Sequence, residues 1–128
     1  MRFELTFQPT NNVRYGGGDA DELERLVASS PPDGPFQLWI SRSGGEAFCV
    51  LANGEWAYLS ILRPTEEDWI ATNPQHPDST ATTPIYLDNG QLDDMAVGQC
   101  VPRSMGIEAG LFYFRNGTPS PDIVWQQT

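Results

Sequence analysis

Residues 51–60 read LANGEWAYLS. Asn-Gly set between alternating apolar residues is the strongest short-range hairpin signal, because a type I′ turn takes positive φ at both central positions. With Asn53 and Gly54 as the turn, Leu51 faces Trp56, Cys49 faces Tyr58 and Ala47 faces Ser60. The other face carries Val50 with Ala57, Phe48 with Leu59 and Glu46 with Ile61. Apolar side chains therefore occupy both faces, which places this hairpin inside a sheet with something packed on each side. One cover should be helical. The other is either the chain's own long loop or a partner, and closure by the chain is the expected one, since monomers rarely expose large apolar patches.

Outward from the hairpin, FQLWISR (36–42) and EAFCVLA (46–52) read as paired strands around Ser43-Gly44-Gly45. Upstream, RFELTFQ (2–8) alternates Phe3, Leu5 and Phe7 with polar residues, the period of a half-buried strand. Asn11 to Gly18 reads as a loop, followed by Asp19 as N-cap with Glu22 three places on, in the manner of a capping box. Ala20, Leu23, Leu26 and Val27 recur at helical spacing, so residues 20–29 should form a short amphipathic helix. SSPPDGP ends it, because proline cannot continue the ladder. Trp39, Trp56 and Trp125 lie within strands and are expected in the core.

Downstream, residues 63–84 carry four prolines and little periodicity, which reads as one long loop, opened by Glu66, Glu67, Asp68 and Trp69. PIYLD and QLDDMAV flank a second hairpin signal, Asn89-Gly90. IEAGLFYFRNG reads as a helix with Ile107, Leu111 and Phe114 on one face and a left-handed cap at Asn116-Gly117. Gly110 weakens that reading and leaves a strand through LFYFR as the alternative. DIVWQ is the last strand. The expected architecture is a single α+β domain over 1–128: a mostly antiparallel sheet with one or two helices against it.

Charge narrows the function. Seventeen acidic residues stand against seven basic ones, all arginine, for a net charge of -10. That field repels nucleic acid and anionic membranes and steers a cationic partner inward, although solubility alone is the plainer explanation. No apolar run approaches the roughly 20 residues of a membrane span, and MRFELTF does not read as a secretory signal, so a cytoplasmic location is expected. Cys49 and Cys100 should then be buried free thiols.

Catalytic patterns are not evident. His76 is the only histidine and has no second histidine or paired cysteines with which to complete a zinc set. There is no nucleophile-elbow motif and no lysine for a phosphate loop. GGGDAD precedes a helix, but its carboxylates would repel phosphate. Asp93 and Asp94 are adjacent on a strand, so they point to opposite faces and read, with Asp88, as a solvated acidic rim rather than a metal or acid–base pair. No catalytic residue, metal or cofactor is expected.

The second half of the chain resembles a known family. GEWAYLS, a polar loop, YLDNG and then VPRSMGIEAGLFYFRNGTPSPDIVW are similar to the type-one (Imm) immunity proteins of bacterial polymorphic toxin systems. The features that carry it are Pro102, the stretch from Ile107 to Phe114, Gly117, Pro119 and Trp125, within residues 36–126. Residues 1–35 match in outline only, as a strand followed by a helix. The resemblance implies a protein that neutralises a cognate toxin by tight 1:1 binding, the toxin often being a nucleic-acid deaminase. This chain lacks the H-x-E and P-C-x-x-C signature of such an enzyme, which makes it the inhibitor.

Charge leads in the same direction independently. A toxin that acts on DNA or RNA presents a basic surface to phosphates, and an acidic protein can compete for it. The candidate toxin-binding residues are Glu66, Glu67, Asp68 and Trp69 of the loop and Asp88, Asp93 and Asp94 of the second hairpin. For Trp69 a place on the chain's own core stays open beside a place in the contact. The rival readings are an acidic interaction module or oligomer subunit and, more remotely, a small metal-dependent hydrolase.

Overall fold

The central hairpin forms as β4 (Ala47–Asn53) and β5 (Trp56–Leu62) in a computed structural model of the chain. The structure describes residues 1–7, 14–77, 80–87 and 89–128. Asn53 pairs with Trp56, so the turn is Gly54-Glu55 rather than Asn53-Gly54. Gly54 has φ 61, and among the described residues no non-glycine has positive φ. A positive φ at the first turn position only is the II′ pattern, which frees Asn53 to stay in the strand and donate its Nδ2 to the Pro84 carbonyl at 3.0 Å. Each cross-strand partner consequently moves by two residues: Leu51 pairs with Tyr58, Val50 with Leu59 and Phe48 with Ile61. A shift of two leaves every side chain on its expected face.

The hairpin sits at the middle of an eight-stranded antiparallel sheet, ordered β10-β6-β5-β4-β3-β1-β2 with β9 beside β5. On one side lie β3 (Phe36–Ser41), β1 (Arg2–Thr6) and β2 (Arg14–Gly17). On the other lie β6 (Trp69–Thr72) and β10 (Val124–Gln127), with β9 (Val101–Pro102) along the first residues of β5. Two expectations change here. Arg14–Gly17 is a strand against β1, not part of a loop; the loop expected over Asn11 to Val13 lies outside the described residues. The long loop is also interrupted, because Trp69-Ile70-Ala71-Thr72 is a run of β-formers that pairs with both β5 and β10.

Two helices cover one face, as expected. In α1 (Ala20–Ala28) the Asp19 side chain caps the backbone N–H of Asp21 at 2.9 Å, with Leu23 and Val27 buried. Helix α2 (Arg103–Asn116) starts four residues earlier than the apolar pattern indicates and ends on Gly117 at φ 74. Its buried seam is Gly106, Ala109, Gly110 and Tyr113, while Ile107 and Leu111 lie half-buried to the side. The glycines explain the difference. A Cβ on Gly106 would lie 2.7 Å from the Ala57 Cβ, and one on Gly110 3.1 Å from Leu38 Cδ2. Gly110 is therefore what lets the helix lie close to β3 and β4, not a sign against a helix. Gly106→Ala should gain about 1 kcal/mol of helix propensity and lose more to overpacking, which costs about 1–3 kcal/mol. A lower urea midpoint than wild type, with exposed Ser104→Ala in the same helix as the neutral control, is the expected result.

Arg103 fastens the start of α2 to the hairpin tip. Its guanidinium donates to the carbonyls of Gly54 at 3.2 Å and Pro31 at 3.1 Å and lies 5.0 Å over the Phe36 ring. Burial lowers its pKa, countered by the charge of Asp33.

The second face of the hairpin is closed by a separate two-stranded sheet, β7 (Thr82–Tyr86) with β8 (Leu92–Ala96), the second hairpin read from the sequence. Ile85 is buried with Cys49 and Leu51, and Trp39, Tyr58, Leu87 and Met95 pack around them. Gln37 anchors this cover by donating Nε2 to the carbonyls of Tyr86 at 2.9 Å and Leu87 at 2.7 Å. So the chain supplies its own lid here, through residues 82–96 instead of the preceding loop. Cys49 and Cys100 are both buried. Among the described residues no helix is long and apolar enough to cross a membrane.

Candidate functional site

Cross-strand register decides which site candidates meet. Trp69 pairs with Ile61 and Trp125 with Ala71, so both indoles lie on the helix-bearing face of the sheet, at its β6–β10 end. Phe48 holds that end together: its ring stacks on Tyr113 at 4.7 Å and meets Trp125 edge-on at 5.8 Å. Beside them opens a pocket of about 290 Å³ lined by Glu46, Ile61, Arg63, Trp69, Pro119 and Trp125.

Glu46 is the carboxylate in this pocket's lining, and its position follows from strand parity. It precedes β4 on the same face as Phe48, where a carboxylate needs partners. Tyr113 donates its hydroxyl to Glu46 Oε2 at 2.5 Å, Arg42 Nη1 lies 3.5 Å from the same oxygen, and Arg63 Nε lies 3.9 Å from Oε1. Arg42 also donates to the Gly117 carbonyl at 2.7 Å, tying the site to the end of α2. Arg63 continues to Glu66 through a second ion pair.

Burial pushes the Tyr113 phenol from 10.0 up to about 12, and the Glu46 acceptor adds to the shift. Burial alone raises the Cys100 thiol from 9.0 to about 11. Tyr113 is thus a neutral donor that fixes Glu46, not a nucleophile. Both groups ionise earlier in the unfolded chain, so the stability they confer is whole below pH 9 and drains away between pH 9 and 12. Thermal melts should show a falling Tm across that window, as unfolding free energy is lost at a rate approaching about 1.4 kcal/mol per pH unit for each group. Cys100→Ala should flatten the pH 9–11 part and leave the higher-pH part, where Tyr113 titrates.

The sequence candidates divide between two faces. Glu66 and Glu67 are exposed on the loop beside the pocket. Asp68 is half-buried: its Oδ1 accepts from the Arg63 backbone N–H at 2.9 Å, and its carbonyl accepts from the Thr128 N–H at 3.0 Å. Trp69 opens β6, half-buried against the main core, and also forms a wall of the pocket. Asp93 and Asp94 are exposed on β8, on the lid over the opposite face, where Asp93 Oδ1 accepts from the Asp94 N–H at 3.0 Å. Asp88 lies outside the described residues. The structure therefore brings Glu66, Glu67, Asp68 and Trp69 together and sets Asp93 and Asp94 apart from them.

Reading the sequence did not reach Glu46, Arg63, Pro119 or Trp125 as site residues. The signal for Glu46 was present, an acidic residue on the otherwise apolar face that carries Phe48 and Val50. Trp125, expected in the core, is half-buried, with its Nε1 enclosed and without an acceptor among the described residues. Trp39 and Trp56 are likewise half-buried.

The arginines are largely engaged within the chain. Arg14 pairs with Glu4 at 3.1 Å, Arg25 with Glu22 at 3.8 Å, and Arg115 with Glu24 at 2.6 Å and Asp21 at 3.2 Å. Arg42, Arg63 and Arg103 hold the contacts given above. Glu67, Asp93 and Asp94 have no arginine partner among the described residues. The excess negative charge is thus left on the surface.

A larger hollow of about 640 Å³ lies over β1, β2 and β3 and is lined by Arg2, Glu4, Arg14, Tyr15 and Trp39 among others. Arg14 and Glu4 are 66% and 50% exposed there, so this is a wide solvated surface rather than an enclosed site. His76 is exposed, its ring edge-on to Trp56 at 5.8 Å. Among the described residues no three of His, Cys, Asp and Glu group as metal ligands would. No family model matches the chain, and no curated protein matches it.

Proposed function

We propose that this chain is an immunity protein, which binds a basic, nucleic-acid-targeting toxin one to one and keeps substrate from it. The observation that carries the reading is a pocket lined by Trp69, Trp125 and Glu46, whose Arg63 pairs with the exposed Glu66 of the acidic loop, on a chain whose arginines are mostly engaged internally. Carboxylates around an aromatic centre suit a surface built to hold phosphate: they attract it from a distance, and the indoles supply buried area on contact. The resemblance noted in the sequence adds that the toxin is a deaminase and that binding takes place in the cytoplasm of the cell that makes both. Two residues that carry the resemblance, Pro119 and Trp125, line this same pocket.

Mixing the chain with the toxin encoded beside it, followed by size exclusion, tests the reading. Co-elution as a 1:1 complex is expected; separate elution at micromolar concentration overturns it. The sheet ends favour a second reading, association between copies or with another strand-bearing protein. β2 and β10 end the strand order, and Val124 on β10 is 53% exposed. Light scattering on the free chain separates the two, since the first reading expects a monomer.

A further inference from the structure

The pocket at the β6–β10 end has a chemistry more specific than general acidity. Two indoles, Ile61 and Pro119 make its walls, and its one carboxylate, Glu46, is held by Tyr113. Arg63 reaches both that carboxylate, at 3.9 Å, and the exposed Glu66. A cation already belonging to the chain thus bridges the pocket's acid and the acidic loop, with its Glu46 contact the longer of the two. A planar guanidinium is the group that both stacks on indole faces and pairs with carboxylate.

We propose that this pocket receives one arginine side chain of the partner, stacked against Trp69 and Trp125 with its guanidinium on Glu46, while Arg63 turns outward to Glu66. This deepens the immunity reading and rests on it for the identity of the partner. An arginine that would otherwise hold substrate phosphate is the residue such an inhibitor gains most by capturing. The pocket's volume of about 290 Å³ provides for one long side chain, not for a helix or a strand. The Glu46 carboxylate in its lining complements a cation, which sets an arginine above an aliphatic anchor.

The test needs no toxin. The four indole N–H signals of the chain are followed by NMR during titration with N-acetyl-arginine methylamide, then with the citrulline and norleucine counterparts. Trp69→Phe and Trp125→Phe assign the signals. The arginine probe is expected to shift the Trp69 and Trp125 signals, leave Trp39 and Trp56 in place, and bind roughly tenfold more tightly than neutral citrulline. Glu46→Gln, which keeps the acceptor for Tyr113, should remove most of that preference while the unliganded spectrum shows the fold intact. No shift at the two indoles, or equal binding of citrulline or norleucine, overturns the proposal. A toxin complex that forms without any arginine response removes this inference and leaves the immunity reading standing. An arginine response without a toxin complex does the reverse.

Discussion

Phe48→Ala is expected to cost this protein about 4 kcal/mol of stability. A fully buried phenylalanine cut to alanine loses its transfer free energy and leaves a cavity, about 3–5 kcal/mol in total. Phe48 is 0% exposed. It also stacks on Tyr113 and meets Trp125 edge-on, and aromatic pairs contribute about 0.5–1.5 kcal/mol each beyond burial. Against a typical total of about 5–15 kcal/mol that loss leaves a marginal fold. The consequence for function is specific. Trp125 is a wall of the pocket, and Tyr113 positions its carboxylate, so one side chain supports both. Urea denaturation of Phe48→Ala beside Phe48→Leu measures the effect. A loss below about 1 kcal/mol, the range of well-tolerated surface changes and volume-conserving swaps, would mean the ring is not the support described here.

Reversing the loop charges should weaken toxin association far more than reversing the lid charges. Glu66→Arg with Glu67→Arg and Asp93→Arg with Asp94→Arg each change the net charge equally, from -10 to -6, since each reversal adds two. A uniform field would therefore treat the two double variants alike. Contact at the pocket would not, because Glu66 and Glu67 lie on the loop between Arg63 and Trp69 of its lining, while Asp93 and Asp94 lie on the lid over the other face. The loop variant is expected to slow association about 10- to 100-fold at low salt, within the range that electrostatic steering supplies. The gap to wild type should narrow as salt screens it. Stability should change little, as exposed ion pairs such as Arg63–Glu66 contribute at most about 1 kcal/mol. Equal slowing in both variants would show that overall charge, not the loop, guides the partner.

The parts of the fold that could be read in advance were those in which one local pattern has one structural outcome. Period-two alternation located β1; the turn signals at Ser43-Gly44-Gly45 and Asn53-Gly54 located β3, β4 and β5; Asp19 located the start of α1; and Asn116-Gly117 located the end of α2. The two-faced hairpin correctly called for two covers. The misreadings came from information held elsewhere in the chain. Asn53-Gly54 favours one turn, but Asn53 is held in the strand by Pro84, 31 residues away. Arg14–Gly17 is a strand because β1 offers it an edge, not because of its own glycine-rich composition. Gly110 reads as a weakness until the approach of Leu38 and Val50 is known.

The candidate site was legible only at its border. Glu66, Glu67, Asp68 and Trp69 stand together in the sequence, so their clustering needs no fold. Glu46, Trp69 and Trp125 converge only because β6 and β10 add to the sheet beyond β5, a pairing between segments more than 50 residues apart. Local periodicity carries no information on that juxtaposition.

The central claim is that the acidic, aromatic end of this sheet occupies the surface on which a toxin would bind nucleic acid. Competition tests it most directly: a labelled single-stranded oligonucleotide is bound to a catalytically inactive form of the neighbouring toxin, and this chain is added while anisotropy is followed. Stoichiometric release of the oligonucleotide by wild type, with weaker release by the Glu66→Arg, Glu67→Arg variant, is the predicted result. A stable ternary complex that retains the oligonucleotide would contradict it.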